Sequence, residues 1–215
     1  MAQRKRKEGP SSKPVRSDGI LSSAASLFAE KGYAATTTRE IAERCGLERA
    51  SLYYHIDSKE DLLYRICKAT LEDGWGVIER VEDVADPVER VRRLIIEHMT
   101  TILRNRDYNL TMLQEIRGLT GPRRTEIVGL RDAYEQRVRD FLADAQAAKS
   151  VRIDQSPKVL AIGLLNLLNW TLTWYSAENE LSPEKLGESF ADLYLEGALI
   201  RRAGGRGGGR ATARP

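Results

Sequence analysis

The sequence predicts an all-α protein of about nine helices and no sheet. Three observations carry this prediction. Apolar residues recur at helical spacing along most of the chain, several segments open on helix-capping signatures, and no alternating strand pattern of useful length is present. The 215 residues are enough for a small amino-terminal domain followed by a larger carboxy-terminal one.

The smaller domain is predicted over residues 17–64, as three helices arranged in a helix-turn-helix. Thr37 and Glu40 have the T-x-x-E spacing of a capping box, so the second helix can begin near Thr38. Gly46 follows at the position where the turn needs a residue that tolerates positive φ. The short helix after this turn is the candidate recognition helix.

The larger domain is predicted over residues 65–201, and the long fourth helix that starts at Ser58 leads into it. Proline is favoured at the first position of a helix, directly after a capping residue. Such pairs open three later helices, at Asp86-Pro87, Ser156-Pro157 and Ser182-Pro183. Between the first two pairs we expect a short helix over Asn109–Leu119 and, after the break at Gly121-Pro122, a long charged helix to about Lys149.

The outward side chains of the helix-turn-helix have the chemistry of a DNA-binding surface. Arg39 and Arg49 are expected to reach base edges, while aromatic and cationic neighbours hold phosphates from a helix lying in the major groove. Ala50 lets the backbones approach closely. The predicted DNA-binding residues are Thr38, Arg39, Glu48, Arg49, Ala50, Tyr53, Tyr54, His55 and Lys59.

This segment resembles the DNA-binding domain of the TetR family of transcriptional repressors. The motifs that carry the resemblance are Leu27-Phe28, Gly32-Tyr33, Thr36-Thr37-Thr38, Gly46, Leu52-Tyr53-Tyr54-His55 and Ser58-Lys59-Glu60-Asp61-Leu62-Leu63. The resemblance implies a repressor that binds a palindromic double-stranded DNA operator as a homodimer. Glu48 departs from the small polar residue common at its position in the family, so its role stays open. A helical adaptor or interaction protein without specific DNA binding is the alternative.

The helix from Pro157 to about Tyr175 is apolar nearly all round, which indicates that it is covered on more than one side. A dimer supplies such a cover, and the resemblance implies that the last two helices of each subunit pair into a four-helix bundle. We therefore expect a homodimer through residues 157–200, with Leu168 in its seam. Small residues for close approach in the last helix are Gly187, Ala191 and Gly197.

Polar and aromatic residues within that apolar helix have two interpretations. They either bond across the dimer seam and fill the core, or line a largely apolar effector cavity together with the middle helices. The candidate effector-binding residues are Met112, Glu115, Ile116, Arg117, Tyr134, Asn169, Trp170, Thr173 and Trp174. The expected effector is a small hydrophobic molecule that changes DNA affinity, and the direction of that change stays open.

An acyl-CoA thioester is one candidate effector. Trp174-Tyr175, Leu181-Ser182-Pro183 and Leu195-Glu196-Gly197 resemble the carboxy-terminal domain of TetR-type regulators of fatty-acid and steroid catabolism, several of which sense such esters. Arg123-Arg124, just after Pro122 at a helix start, could hold a nucleotide phosphate. A solvated helix end is the other interpretation of this basic pair.

The sequence favours no enzyme, metal site or cofactor. Cys45 and Cys67 stand within predicted helices without metal-ligand spacing, and two reduced thiols are expected. His55 and His98 lie outside any HExxH or GxSxG context. The longest apolar run, residues 159–172, is too short to span a bilayer. We expect a cytoplasmic protein with no membrane segment or signal peptide.

The net charge of +3 is unevenly distributed. Residues 1–16 carry six basic groups and one acidic group, whereas residues 69–200 carry 16 basic and 22 acidic groups. The basic arm either adds phosphate contacts or serves as a disordered solubilising extension, and both interpretations stay open. The Gly/Arg tail, residues 202–215, is expected to be disordered.

Overall fold

The chain folds into helices throughout the part that the structure, a computed structural model, describes: residues 17–149, 154–176, 178 and 181–198. The helices are α1 Ser17–Lys31, α2 Thr38–Arg44, α3 Arg49–Leu52, α4 Lys59–Val81, α5 Pro87–Arg104, α6 Arg106–Glu115, α7 Gly121–Ala147, α8 Pro157–Trp174 and α9 Pro183–Ala198, with a 3-10 turn at Ile116–Gly118 after α6. The all-α prediction is confirmed. The predicted arm 1–16 and tail 202–215 lie outside the described residues.

Local capping chemistry sets the ends of the helices as the sequence predicts. The Glu40 amide lies 3.2 Å from the Thr37 hydroxyl, and Glu40 Oε2 accepts from the Thr37 amide at 2.8 Å, which completes the capping box of α2. Asp86 caps α5 in front of its proline, with 2.8 Å between its carboxylate and the Glu89 amide. Gly46 adopts a φ of +68° in the turn between α2 and α3.

Helix α4 joins two hydrophobic cores. Its first half contributes Leu62, Leu63 and Ile66 to the core of the head, residues 17–64, together with buried residues of α1, α2 and α3. Its second half contributes Val77 and Ile78 to the core of the body, residues 65–198. Helix α4 is therefore packed in both cores.

The head rests directly on the α6–α7 connection of the body. Thr111 in α6 is fully buried and donates a hydrogen bond to the Ala25 carbonyl of α1 at 3.1 Å. Gly118 packs so closely that a Cβ there would stand 2.8 Å from the Tyr33 ring. A larger residue at position 118 would push the α1–α2 loop away.

Two expectations about the dimer seam are wrong. Leu168 is buried in the protomer's own core, with 1% of its surface exposed, so it does not face a partner. Gly187 and Ala191 are buried too, and a Cβ at Gly187 would lie 2.9 Å from Ile96 Cα of α5. These small residues let α9 pack closely on α5 within one protomer. Gly197, in contrast, borders open space.

No helix among the described residues combines the length and apolar character that a membrane crossing requires.

Candidate DNA-binding surface and ligand cavity

The recognition helix α3 is a single turn, anchored by one side chain. Leu52 is fully buried in the head core, whereas Arg49, Ala50 and His55 are exposed and Tyr54 exposes 89% of its surface. Glu48 precedes the helix and makes no side-chain capping bond. The predicted DNA-binding residues around α3 are therefore exposed to solvent, and their contact with DNA stays a prediction.

A hydrogen bond ties α2 to this surface. The Thr38 and Tyr53 hydroxyl oxygens are 3.2 Å apart, and the Arg49 guanidinium lies 5.9 Å from the Tyr53 ring centroid. The bond with Thr38, followed by the influence of Arg49, lowers the pKa of Tyr53. Thr38 is half-buried, and its hydroxyl holds the Tyr53 side chain through this hydrogen bond.

Arg39 is exposed on α2 and pairs with Glu43 at 2.8 Å. The Arg39 side chain is 78% exposed, and an exposed ion pair of this kind contributes little stability. Arg39 can exchange Glu43 for a base edge or phosphate at small cost.

Lys59 has a role that the sequence did not reveal. Its ammonium donates to the Tyr33 and Thr36 carbonyls at 2.8 Å each and lies 4.4 Å from the Tyr33 ring centroid. Lys59 therefore holds the α1–α2 loop against the start of α4. A lysine has three donor hydrogens, so a phosphate contact through the third stays a prediction.

A buried carboxylate connects α4, α7 and the recognition segment. Asp61 is 4% exposed and forms ion pairs with Arg65 at 2.8 Å and with Arg123 of α7 at 3.1 Å. Arg65 also donates to the His55 carbonyl, directly after α3, at 3.1 Å. We call Asp61, Arg65 and Arg123 the Asp61 cluster. It provides a polar path from the body to the DNA-binding surface.

The start of α7 makes further bonds to α4. Glu60 accepts from the Thr120 amide at 2.7 Å, and this bond is the largest cause of its lowered pKa. Arg123 lies over the Tyr64 ring as well as pairing with Asp61. Arg123 is therefore not the free cation that the predicted phosphate site at Arg123-Arg124 requires.

A cavity of about 260 Å³ lies between α4, α5, α6, α7 and α8. Met112, Ile116, Tyr134 and Asn169 line it, as the candidate effector set proposed. Asn166 joins them on the wall. Of the polar and aromatic residues of α8, the two asparagines thus lie on the cavity wall, and their contact with an effector stays a prediction.

Five candidate effector residues lie elsewhere: Glu115, Arg117, Trp170, Thr173 and Trp174 do not line the cavity. On α8, Ile162, Leu165, Asn166 and Asn169 lie on the side that lines the cavity. Thr173 is one turn past Asn169 on that same side of the helix, and it is not part of the cavity lining. Trp170 exposes 67% of its surface and Trp174 exposes 48%, so the prediction that they line the cavity is wrong.

The sequence did not reveal most of the wall. The residues it missed are Thr70, Leu71, Gly74, Val77, His98, Thr101, Ile102, Asn109, Arg131, Glu135, Ile162 and Leu165. One local signal was present, since His98 stands among Leu94, Ile95, Met99 and Ile102 on the apolar face of α5. A titratable residue on a buried face needs polar partners, which here come from two distant helices.

His98 is a buried polar group of the cavity wall with a polar partner at each ring nitrogen. Its Nδ1 lies 2.7 Å from the Tyr134 hydroxyl, and its Nε2 lies 3.5 Å from Asn169 Oδ1. Burial lowers the pKa of His98 to about 4 and raises that of Tyr134. Both groups are therefore uncharged near neutral pH.

The outer side of α8 is an exposed apolar surface. Val159 is exposed along it together with Trp170 and Trp174, and Gly163 borders open space. Tyr194 of α9 donates to the Leu160 carbonyl at 3.0 Å, which holds α9 beside α8. Contiguous apolar exposure of this kind marks an interaction site.

An exposed recognition helix, a helix-turn-helix core and a helical body reached through α4 define the class of helix-turn-helix DNA-binding proteins. The family model for "Bacterial regulatory proteins, tetR family" matches residues 20–66. That for "Tetracyclin repressor-like, C-terminal domain" matches residues 84–198, more than half of the chain. The chain belongs to the TetR family, and it is a transcriptional repressor of the helix-turn-helix type.

Known proteins resemble the chain over nearly its whole length. The transcriptional repressor KstR2 of Mycolicibacterium smegmatis is 26% identical over 190 residues, covering 87% of this chain and 93% of KstR2. The TetR-family regulator PfmR from Thermus thermophilus has a TM-score of 0.77 and is 34% identical, covering 85% of this chain and 99% of PfmR. AibR, solved in complex with isovaleryl coenzyme A and operator DNA, has a TM-score of 0.75 at 28% identity, covering 82% of this chain and 96% of AibR.

Proposed function

We propose that the chain is a ligand-responsive repressor, in which a homodimer binds a palindromic operator and a small apolar effector in the body changes operator affinity. The observation that carries this proposal is the position of α4. Its middle turns, with Thr70, Leu71 and Gly74, line the cavity, and its first turns bear Asp61 and Arg65 of the Asp61 cluster. One rigid helix thus touches both the ligand site and the recognition segment.

Ligand entry would act on operator affinity through α4 and α7 together. Tyr134, Arg131 and Glu135 place α7 on the cavity wall, and Arg123 joins the same helix to buried Asp61. A shift of either helix changes the support that Arg65 gives to the backbone at His55. A coupling free energy of about 1–3 kcal/mol would change operator affinity roughly 5- to 150-fold.

The exposed side of α8 supports the homodimer. A two-fold partner would cover Val159, Trp170 and Trp174, which the protomer leaves in solvent. Two-fold symmetry would also set two recognition helices about 34 Å apart, which matches successive major grooves on one side of DNA.

An acyl-CoA thioester remains the leading effector candidate, because AibR was solved with isovaleryl coenzyme A and operator DNA. The cavity of about 260 Å³ has room for an acyl group but not for a coenzyme A moiety, which would extend outside. We therefore propose that the acyl group enters the cavity. The nucleotide would not use Arg123, which Asp61 already engages.

The test begins with selection of operator fragments from genomic DNA, followed by fluorescence anisotropy at two salt concentrations. A repressor gives tight binding to selected fragments and weaker binding at the higher salt concentration, because phosphate contacts release counterions. A helical adaptor would show no fragment preference, and that outcome would overturn the proposal. Adding acyl-CoA esters of increasing chain length to the same titration tests the effector.

A further inference from the structure

The cavity wall carries a hydrogen-bonded row made of Tyr134, His98 and Asn169. The Asn169 side-chain oxygen can only accept, so the hydrogen of the neutral imidazole is assigned to Nε2 of His98. Nδ1 then accepts from the Tyr134 hydroxyl at 2.7 Å. The short bond fixes the ring and directs Nε2–H toward Asn169.

The second bond of this row is weak. Its length of 3.5 Å exceeds the 2.7–3.2 Å range of good N–H···O bonds. His98 is 7% exposed, so this donor has little water to compensate for a poor partner. The Asn169 amide nitrogen makes no hydrogen bond within the described part of the chain. Two donors, His98 Nε2 and Asn169 Nδ2, are therefore available side by side on the wall.

The charges around the cavity do not suit an anionic group. Arg131 and Glu135 are on the wall and carry opposite charges, and each also forms an ion pair with a neighbour, Arg131 with Asp132 and Glu135 with Arg139. Desolvation keeps His98 neutral, because its pKa falls to about 4. A carboxylate beside His98 would lose its hydration without gaining a positive charge from the neutral imidazole.

The cavity volume limits the size of the ligand. About 260 Å³ corresponds to roughly nine water molecules at ~30 Å³ each, and so to a ligand of about ten heavy atoms. Leu71, Ile102 and Leu165 supply an apolar wall along which an alkyl chain can lie.

We propose that the cavity recognises a neutral acyl carbonyl, with its oxygen accepting from His98 Nε2 and Asn169 Nδ2 and its alkyl chain against the apolar wall. Esters, thioesters and ketones present this group, and ionised carboxylic acids do not. The assignment deepens the proposed effector regulation and rests on it. Tyr134 is a positioning residue, since it holds the imidazole and selects its tautomer.

Isothermal titration calorimetry with methyl hexanoate and sodium hexanoate tests the assignment on the unmodified protein. The two probes share an acyl chain and differ in the charge of the head group. We expect the ester to bind at least about tenfold more tightly, because only the carboxylate must be buried as an ion. Equal affinities, tighter binding of hexanoate or no binding of the ester would each overturn the assignment.

Two variants at position 98 locate the carbonyl. His98→Gln keeps an N–H donor near the place of Nε2, and His98→Phe keeps a ring without any donor. Ester affinity should fall about threefold to tenfold in His98→Phe and stay within about twofold in His98→Gln. If His98→Phe does not fold, the His98→Phe/Tyr134→Phe pair removes the orphaned hydroxyl and should show the same loss. Unchanged ester affinity in the phenylalanine variants would overturn the assignment.

Operator binding, measured in parallel without ligand, keeps this result separate from the proposed function. A protein that binds the selected operator but prefers hexanoate refutes the carbonyl site and leaves the repressor intact. A protein that binds methyl hexanoate through His98 but no operator supports the site and refutes the repressor.

Discussion

The DNA-binding surface and the cavity differ in where their side chains find partners. Arg49 of the one-turn helix α3 is exposed, as are Tyr54 and His55 in the turn that follows, so these side chains can take partners from outside the protomer. In the cavity, His98 and Tyr134 are buried and bond to each other. Substitutions on the exposed surface should therefore change binding with little effect on folding. Substitutions at the buried row should change both, so they need isosteric controls.

Trp170→Glu should give the largest loss of operator affinity, because it places a charge on the exposed side of α8 where the proposed partner would pack. Trp170 is 67% exposed in the protomer, so the charge should leave folding intact and act on the dimer alone. Light scattering should show a monomer, and operator affinity should fall roughly 100-fold or more because one half-site is lost. Gln136→Glu, at an exposed position on α7, is the matched control. A wild-type protein that is monomeric at micromolar concentration would contradict the dimer.

Arg49→Ala should change sequence preference rather than stability. A guanidinium that reads one base pair contributes about 1–3 kcal/mol of discrimination, so the variant should tolerate substitutions at that pair. Anisotropy with a panel of operator variants measures the change, and the melting temperature should stay constant because Arg49 is exposed. A uniform loss across the panel would assign Arg49 to phosphate.

The free energy of unfolding should fall in acid because His98 is buried as a neutral imidazole. Unfolded His98 takes up a proton below its ordinary pKa of 6.5, and the folded protein cannot do so until the pH nears about 4. The contribution of this residue to stability is therefore complete above pH 6.5 and is lost as the pH falls toward 4. Between about pH 7.5 and pH 5, the wild type should lose about 2 kcal/mol more stability than His98→Gln in urea unfolding. An equal loss in both proteins would mean that His98 is protonated in the folded state.

Lys59→Ala should have the smallest effect on DNA binding. It distinguishes a phosphate contact by Lys59 from its structural role in the α1–α2 loop. If the third ammonium hydrogen holds a phosphate, operator affinity falls for all sequences and the salt slope drops by about 0.9. The loss of the bonds to the Tyr33 and Thr36 carbonyls should also lower the melting temperature. A lower melting temperature with an unchanged salt slope would leave Lys59 with the structural role alone.

The fold of the head could be predicted from the sequence because it depends on short-range signals. Thr37 with Glu40, and Gly46 with its positive φ, act within a few residues of each other, so their spacing is visible in the chain. The fold class and the family followed from such signals.

The polar pairs of the cavity and of the Asp61 cluster could not be predicted from the sequence, because they join residues that are far apart in the chain. His98 lies 36 residues from Tyr134 and 71 from Asn169, and Asp61 lies 62 from Arg123. No periodicity encodes those pairs. The register of α8 was also hidden, because a helix that is apolar nearly all round does not show which face the protomer covers. Trp170 was therefore placed in the cavity and Leu168 in the seam, although Trp170 is exposed and Leu168 is buried in the protomer's own core.

Operator affinity with and without a cavity ligand tests the central claim, that the cavity and the DNA-binding surface are coupled through α4. The measurement compares wild type with Arg123→Gln, which removes one of the two arginines from the Asp61 cluster. Saturating methyl hexanoate should change wild-type operator affinity by roughly 5- to 150-fold, and the change should be smaller in Arg123→Gln. A ligand that calorimetry shows to occupy the cavity, and that leaves wild-type operator affinity unchanged, would contradict the account.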